Sequence, residues 1–245
     1  MKFQKILSII IICIFPHSFL YGQAKKHNFG EILGIALPSA MITYGFISLG
    51  DNGIREIDYR MRHSLEINNR FWNTHADDYI QFTPAVAAYT LKLCKVESAH
   101  NMFDMTVLYG LSSILAGGII SKTKIITARE RPDHSNNRSF PSGHTQTAFV
   151  AAEFLHQEYK NQSVWISIGG YSAATFVGIA RVYNNKHWVS DVVAGAGIGI
   201  LSTKVVYWTY PYLRRKIGKN DNQLQTFVFP GYSNGNLCIN LSHNF

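Results

Sequence analysis

AGGIISKTKIITARERP, residues 116–132, closes an apolar stretch that spans 104–121 and runs directly into a basic segment that includes Lys124, Arg129 and Arg131. The apolar part is too long for a strand and reads as a helix, which Pro132 ends just after the last cation. Basic residues beyond an apolar helix commonly anchor it at a membrane surface. The same residues can also hold an anion, and this stretch alone leaves both readings open.

Working outward, similar Gly- and Ala-rich apolar stretches recur at 32–50, 81–94, 145–158, 164–183 and 188–210, so the sequence predicts an all-α helical bundle. No break in composition between residues 30 and 210 divides it into two catalytic domains. Between the first two stretches, Ile54, Ile57, Met61 and Leu65 fall at helical spacing among charges, an amphipathic helix that reads as a connector.

A mean hydropathy of −0.02 is low for a polytopic protein, and Asp191 and Lys204 interrupt the last stretch. A membrane-embedded bundle is expected, with a soluble bundle as the alternative. If the N-terminus is external, the loop after 121 reaches the outside only when one stretch does not cross; 81–94, fourteen residues, is the shortest. Arg214, Arg215, Lys216 and Lys219 then face the cytoplasm.

Residues 1–22 carry Lys2 and Lys5 ahead of the apolar run Ile6–Phe15, the pattern of a secretory signal or an uncleaved anchor. The helical domain is expected over 23–215. The tail, 216–245, pairs two β-rich runs around Ser233-Asn-Gly-Asn236, a small β-hairpin. Cys13, Cys94 and Cys238 offer neither a disulfide framework nor zinc-site spacing. The net charge of +8 favours anionic partners without choosing among them.

Chemistry concentrates at three helix edges. In the first, Lys124 and Arg131 lie seven residues apart. The second is Pro141-Ser142-Gly143-His144, a turn feeding an apolar helix. Outward-facing amides of Ser142, Gly143 and His144 would make an anion site there, and an ordinary N-cap by Ser142 is the alternative. In the third, Arg181 precedes His187 and Asp191, whose four-residue spacing places them on one helix face. The Asp191 carboxylate would orient one ring nitrogen of His187 and leave the other nucleophilic.

Together these residues specify phosphoryl transfer. His187 attacks phosphorus, His144 protonates the leaving oxygen and later activates water, and Lys124, Arg131, Arg181, Ser142 and Gly143 hold the phosphate oxygens. The arrangement needs no metal or other cofactor, and the sequence shows no carboxylate cluster to hold one.

The motifs Lys124-IITARE-Arg131-Pro132, Pro141-Ser142-Gly143-His144 and Arg181-VYNNK-His187-WVS-Asp191 resemble, in order and spacing, the three-part signature of the type 2 phosphatidic acid phosphatase superfamily. That superfamily also includes class A acid phosphatases and vanadium haloperoxidases. Ala180 departs from it, standing where the family usually has Ser. The resemblance implies metal-independent hydrolysis with His187 as nucleophile, Asp191 as its partner and His144 as acid. It further implies a substrate among envelope lipid phosphates: lipid A, phosphatidylglycerol phosphate, undecaprenyl pyrophosphate or phosphatidic acid. The expected setting is the inner membrane with the site facing the periplasm, and no nucleic-acid partner. A soluble periplasmic acid phosphatase is the alternative, and a vanadate-dependent haloperoxidase a third reading. The headgroup and the oligomeric state are not encoded in any motif.

Overall fold

The computed structural model describes residues 29–218, 225–233 and 236–244; the leader read at 1–22 and Lys219 lie outside the described residues. The chain divides into two compact units, residues 1–37 and 38–245. The described part of the first is the opening of helix α1 (Phe29–Ile47), where Ile32, Leu33 and Leu37 are exposed.

In the second unit α1 is followed by α2 (Gly53–Ile67), the short α3 (Ala76–Ile80), α4 (Thr83–Leu93), and four longer helices. These are α5 (Met102–Thr127), α6 (Gly143–Tyr159), α7 (Val164–Tyr183) and α8 (Val189–Gly218). In the tail, β1 (Gln225–Ser233) and β2 (Asn236–Asn244) pair antiparallel with Gln225 opposite Asn244.

Local chemistry sets the helix boundaries. Asn52 caps α2 by accepting from the Ile54 and Arg55 amides at 3.0 and 3.2 Å. Asn101 caps α5 through the Asp104 amide at 2.8 Å, and Ser163 caps α7 through Trp165. Helix α5 stops at Ala128, which is forced into the left-handed region at φ 42°.

Helix α6 is the centre, packed against α4, α5, α7 and α8. Its Ala148, Ala151, Ala152 and Phe154 are fully enclosed, and Phe154 stacks at a tilt on Tyr109 and Tyr89. Burial of a side chain of that size contributes about 1.5–3 kcal/mol. Helix α8 approaches α6 closely because it presents glycines there. A Cβ on Gly195 would lie 2.5 Å from the Ser142 carbonyl oxygen, and one on Gly199 would lie 2.7 Å from that of Gln146. The two polar interruptions in the last apolar stretch both find partners: Lys204 pairs with the enclosed Glu153 at 2.8 Å, and Asp191 enters the site described below.

Helices α5 to α8 alternate in direction, so the α5–α6 loop (128–142) and the α7–α8 turn (184–188) emerge at one end. Contacts between them tie that end together: Ser142 N–H donates to the Asp191 carbonyl at 3.0 Å, and Trp188 Nε1 donates to the Glu130 carbonyl at 2.9 Å.

Around the outside the bundle is apolar. Phe103, Ile114, Ile119, Ile125 and Ile126 of α5 are exposed, as are Trp165, Ile168, Phe176 and Ile179 of α7. Large apolar side chains exposed in this number along two helices favour a non-aqueous neighbour. Two helices are long and apolar enough to cross a membrane, Met102–Thr127 and Val189–Arg215. Helix α4, at 11 residues, reaches only about 16 Å of a hydrocarbon layer of about 30 Å.

Candidate active site

His187 sits in the turn ahead of α8, where Asn185 at φ 56° reverses the chain and the Lys186 and His187 amides donate to the Arg181 carbonyl. The four-residue spacing predicts His187 and Asp191 together on one helix; in the structure only Asp191 belongs to α8. The two side chains still meet, with His187 Nδ1 3.4 Å from Asp191 Oδ2. That is ion-pair reach but not a hydrogen bond, and Nδ1 has no hydrogen-bond partner among the described residues. Catalytic contacts are often long before substrate tightens them. Burial, with Asp191 opposing it and Lys124 and Arg181 reinforcing it, pushes the His187 imidazole down to about 4. It is therefore neutral at ordinary pH, the state in which a ring nitrogen can attack.

Asp191 is fully enclosed and firmly held. Its Oδ2 accepts from the Trp188 amide at 3.0 Å and from the Ser139 hydroxyl, while Oδ1 accepts from Arg129 NH1 at 2.7 Å. The bond to the Trp188 amide is the capping-box contact that starts α8. Arg129 thus faces Asp191, not an open anion site. Its NH2 donates to Asp58 Oδ2 at 2.7 Å, and Asp58 also accepts from the Ser190 amide and hydroxyl. Asp58 belongs to α2, so the helix read as a mere connector reaches the site. A signal for this was present in the sequence: Asp58 lies on the apolar stripe of Ile54, Met61 and Leu65, where an unpaired carboxylate would not be tolerated.

The cations assemble around the same corner. Lys124 Nζ donates to the Arg138 and Ser139 carbonyls at 2.7 and 3.3 Å. Arg181 NH1 donates to Asp77 Oδ2 at 2.6 Å. The buried Nε atoms of Arg131 and Arg181 lack protein partners among the described residues. Burial and then the neighbouring Arg181 charge lower the Arg131 guanidinium below its ordinary value, as expected of cations gathered without enough counter-charge.

Gly143 opens α6, and a Cβ there would meet nothing within 4 Å, so the helix N-terminus is approachable. Ser142 differs from the sequence reading on two counts. Its amide is bonded to the Asp191 carbonyl, so it does not face an anion. Its hydroxyl bonds Thr145 Oγ1 at 2.9 Å and does not cap the helix. The first-turn amides left are those of Gly143, His144 and Thr145, which have no acceptor inside the helix.

His144 has a partner that sequence reasoning missed. Its Nε2 lies 2.8 Å from Asp78 Oδ1 on α3, in a stretch between the connector helix and the second apolar run to which the sequence reading assigns no element. The expectation of no carboxylate cluster is corrected here: ligand atoms of Asp77, Asp78 and His144 lie within 4.8 Å of one another. Asp77, however, already accepts from Arg181 and from Asn184 Nδ2 at 3.1 Å.

Residues 105–215 match the family model of the PAP2 superfamily. This segment is a PAP2 superfamily domain. Beyond it, the chain is 34% identical over 206 residues to a lipid A 1-phosphatase of Porphyromonas gingivalis, covering 80% of this chain and 44% of the relative. It is 33% identical over 132 residues to phosphatidylglycerophosphatase B of Bacillus subtilis, covering 47% of this chain and 64% of the relative. The chain thus spans less than two thirds of the length of either relative. A crystal structure of a transmembrane PAP2 type phosphatidylglycerolphosphate phosphatase from Bacillus subtilis aligns with a TM-score of 0.48 at 22% identity, over 73% of this chain and 98% of that one. The PAP2 segment contains all three motif-bearing edges, the candidate membrane helix Val189–Arg215 and all but the first three residues of Met102–Thr127.

Proposed function

We propose that this chain is a phosphoric monoester hydrolase that removes a phosphate from an envelope lipid through a phosphohistidine on His187. The observation that carries this reading is a pair of buried, unpartnered donors, Arg131 Nε and Arg181 Nε, beside the open N-terminus at Gly143. A buried polar atom without a partner is costly, and a tetrahedral phosphate would satisfy these donors together.

In the reaction His187 Nε2 attacks phosphorus and the bond to the lipid oxygen breaks, with His144 giving that oxygen its proton. Water then attacks the phosphohistidine, returns a proton to His144 and releases phosphate. Lys124, Arg131, Arg181 and the Gly143 amide hold the charge of the equatorial oxygens throughout, work that a metal does elsewhere.

The exposed apolar faces of α5 and α7 favour the membrane-embedded reading over the soluble acid phosphatase. The site lies at the helix ends, level with lipid headgroups. The leader pattern favours a periplasmic position for that end, and the relative named as a lipid A 1-phosphatase makes lipid A the first substrate to try. The test is phosphate release by detergent-solubilised wild type and His187→Ala. The panel is lipid A, phosphatidylglycerol phosphate, undecaprenyl pyrophosphate, phosphatidic acid and an aryl phosphate. A His187-dependent preference for one lipid supports the proposal. Equal or faster turnover of the aryl ester would overturn the lipid assignment.

A further inference from the structure

The geometry points to Asp78 as a positioning residue that holds His144 by Nε2, so that His144 delivers its proton to the leaving oxygen from Nδ1. This rests on the phosphatase reading above for the identity of the reaction, but not for the contact itself.

Asp77 and Asp78 are adjacent on α3, and adjacent helical positions point about 100° apart. Each finds a different functional side chain: Asp77 takes Arg181 NH1 at 2.6 Å, while Asp78 Oδ1 takes His144 Nε2 at 2.8 Å and lies 4.0 Å from Arg181. The other Asp78 oxygen faces His75 Nδ1 at 3.4 Å, but that histidine is 84% exposed and water competes for it. One short helix therefore orients both a phosphate cation and the acid.

With Nε2–H directed at a carboxylate, neutral His144 keeps its lone pair on Nδ1, and protonated His144 carries its transferable proton there. The site then holds two His–Asp pairs of opposite polarity: Asp191 lies on the Nδ1 side of His187, leaving Nε2 to attack, and Asp78 lies on the Nε2 side of His144, leaving Nδ1 to donate. The groups facing His144 are Asp78 and Asp77 from α3 and Arg181 from α7. Burial and the Arg181 charge lower the imidazole, and Asp78 and then Asp77 oppose them. Without Asp78 the acid would be deprotonated over more of the working pH range.

Asp78→Asn keeps an oxygen for Nε2–H and removes the charge; because the Asp78 side chain is 43% exposed, no buried partner is stranded. In the full chain in detergent, the variant should lose about 10–100-fold in kcat on a short-chain phosphatidic acid, whose alkoxide leaves poorly without a proton. On nitrophenyl phosphate, whose leaving group needs little protonation, it should lose less than about threefold. The alkaline limb of kcat/KM should move to lower pH. Equal losses on both esters, or none, would overturn the inference. NMR titration of isotope-labelled histidine decides the contact without turnover: His144 should titrate at lower pH in Asp78→Asn, and an unchanged titration would refute it. A wild type that cleaves neither ester would sink the phosphatase reading, and the titration alone would then decide the Asp78 contact.

Discussion

Arg129→Ala is the substitution with the largest calculable consequence outside the reacting groups. The guanidinium bridges two carboxylates whose side chains are both 0% exposed, Asp58 and Asp191, each at 2.7 Å, and NH1 also donates to Ser190 Oγ at 2.8 Å. It lies over the Trp188 ring as well, 5.5 Å from the centroid. Two charge-assisted hydrogen bonds at about 1.5–3 kcal/mol each set the scale. Removing one side of a buried pair generally costs about 3–5 kcal/mol because the other side stays charged and unpaired. Here two carboxylates are left facing each other, each keeping only neutral donors from Ser139, Ser190 and Trp188. At about 2–4 °C per kcal/mol for a chain of this size, the unfolding midpoint in detergent should drop by roughly 6–20 °C. Arg129→Lys keeps one charge without the planar fork and should recover only part of it. Asp58→Asn combined with Arg129→Ala should cost less than the two separate losses added, by about 1–3 kcal/mol of coupling. Thermal unfolding of wild type and these variants measures this directly. A midpoint for Arg129→Ala within about 2 °C of wild type would refute the argument that this cluster is a buried ion bridge.

Other consequences are smaller or more local. Ala128 occupies the left-handed region at φ 42°, so Ala128→Gly should raise stability by about 0.5–1 kcal/mol, net of its unfolded-state entropy; a lower midpoint would contradict the strain argument. Gly195→Ala puts a Cβ 2.5 Å from the Ser142 carbonyl and should cost about 1–3 kcal/mol by forcing α8 away from the α6 N-terminus. Phosphate release should fall with it, whereas Gly110→Ala, inside α5 where a Cβ meets nothing within 4 Å, should leave phosphate release unchanged and raise stability by about 0.5–1 kcal/mol. For pH, kcat/KM should rise through about 4 as His187 loses its proton and becomes nucleophilic. It should fall again below the ordinary 6.5 as His144, lowered by burial and Arg181, loses the proton it must donate. The profile in the free enzyme is therefore a bell with an acidic optimum, and a plateau reaching about pH 8 would contradict these assignments.

The bundle was legible because its helices are written as apolar runs with sharp punctuation: Pro132, the Pro141-Ser142-Gly143 turn, and the caps at Asn101 and Ser163 all fall where helices begin or end. The three edges that converge were legible for a related reason, since reactive residues at the ends of alternating helices must share a face of the bundle. What stayed hidden were contacts made across long separations in the chain. Asp58, Asp78, Ser139 and Ser190 carry no local spacing that names a partner, and Asp77-Asp78 sits in a polar stretch with no periodicity of its own. Ser142 differs from its sequence reading because a serine before a helix has two uses for its amide and hydroxyl. Only the approach of α8, permitted by Gly195, fixes which use is made. Arg129, by contrast, was evident as a cation, but its charge answers two carboxylates that the sequence does not place beside it.

The most direct test of the phosphohistidine mechanism is rapid-quench capture of the enzyme during turnover of a lipid substrate labelled with radioactive phosphate. One acid-labile, alkali-stable phosphate per chain is expected, mapped by peptide sequencing to His187 and absent from His187→Ala. Label on any other residue, or full hydrolytic activity in His187→Ala, would contradict it.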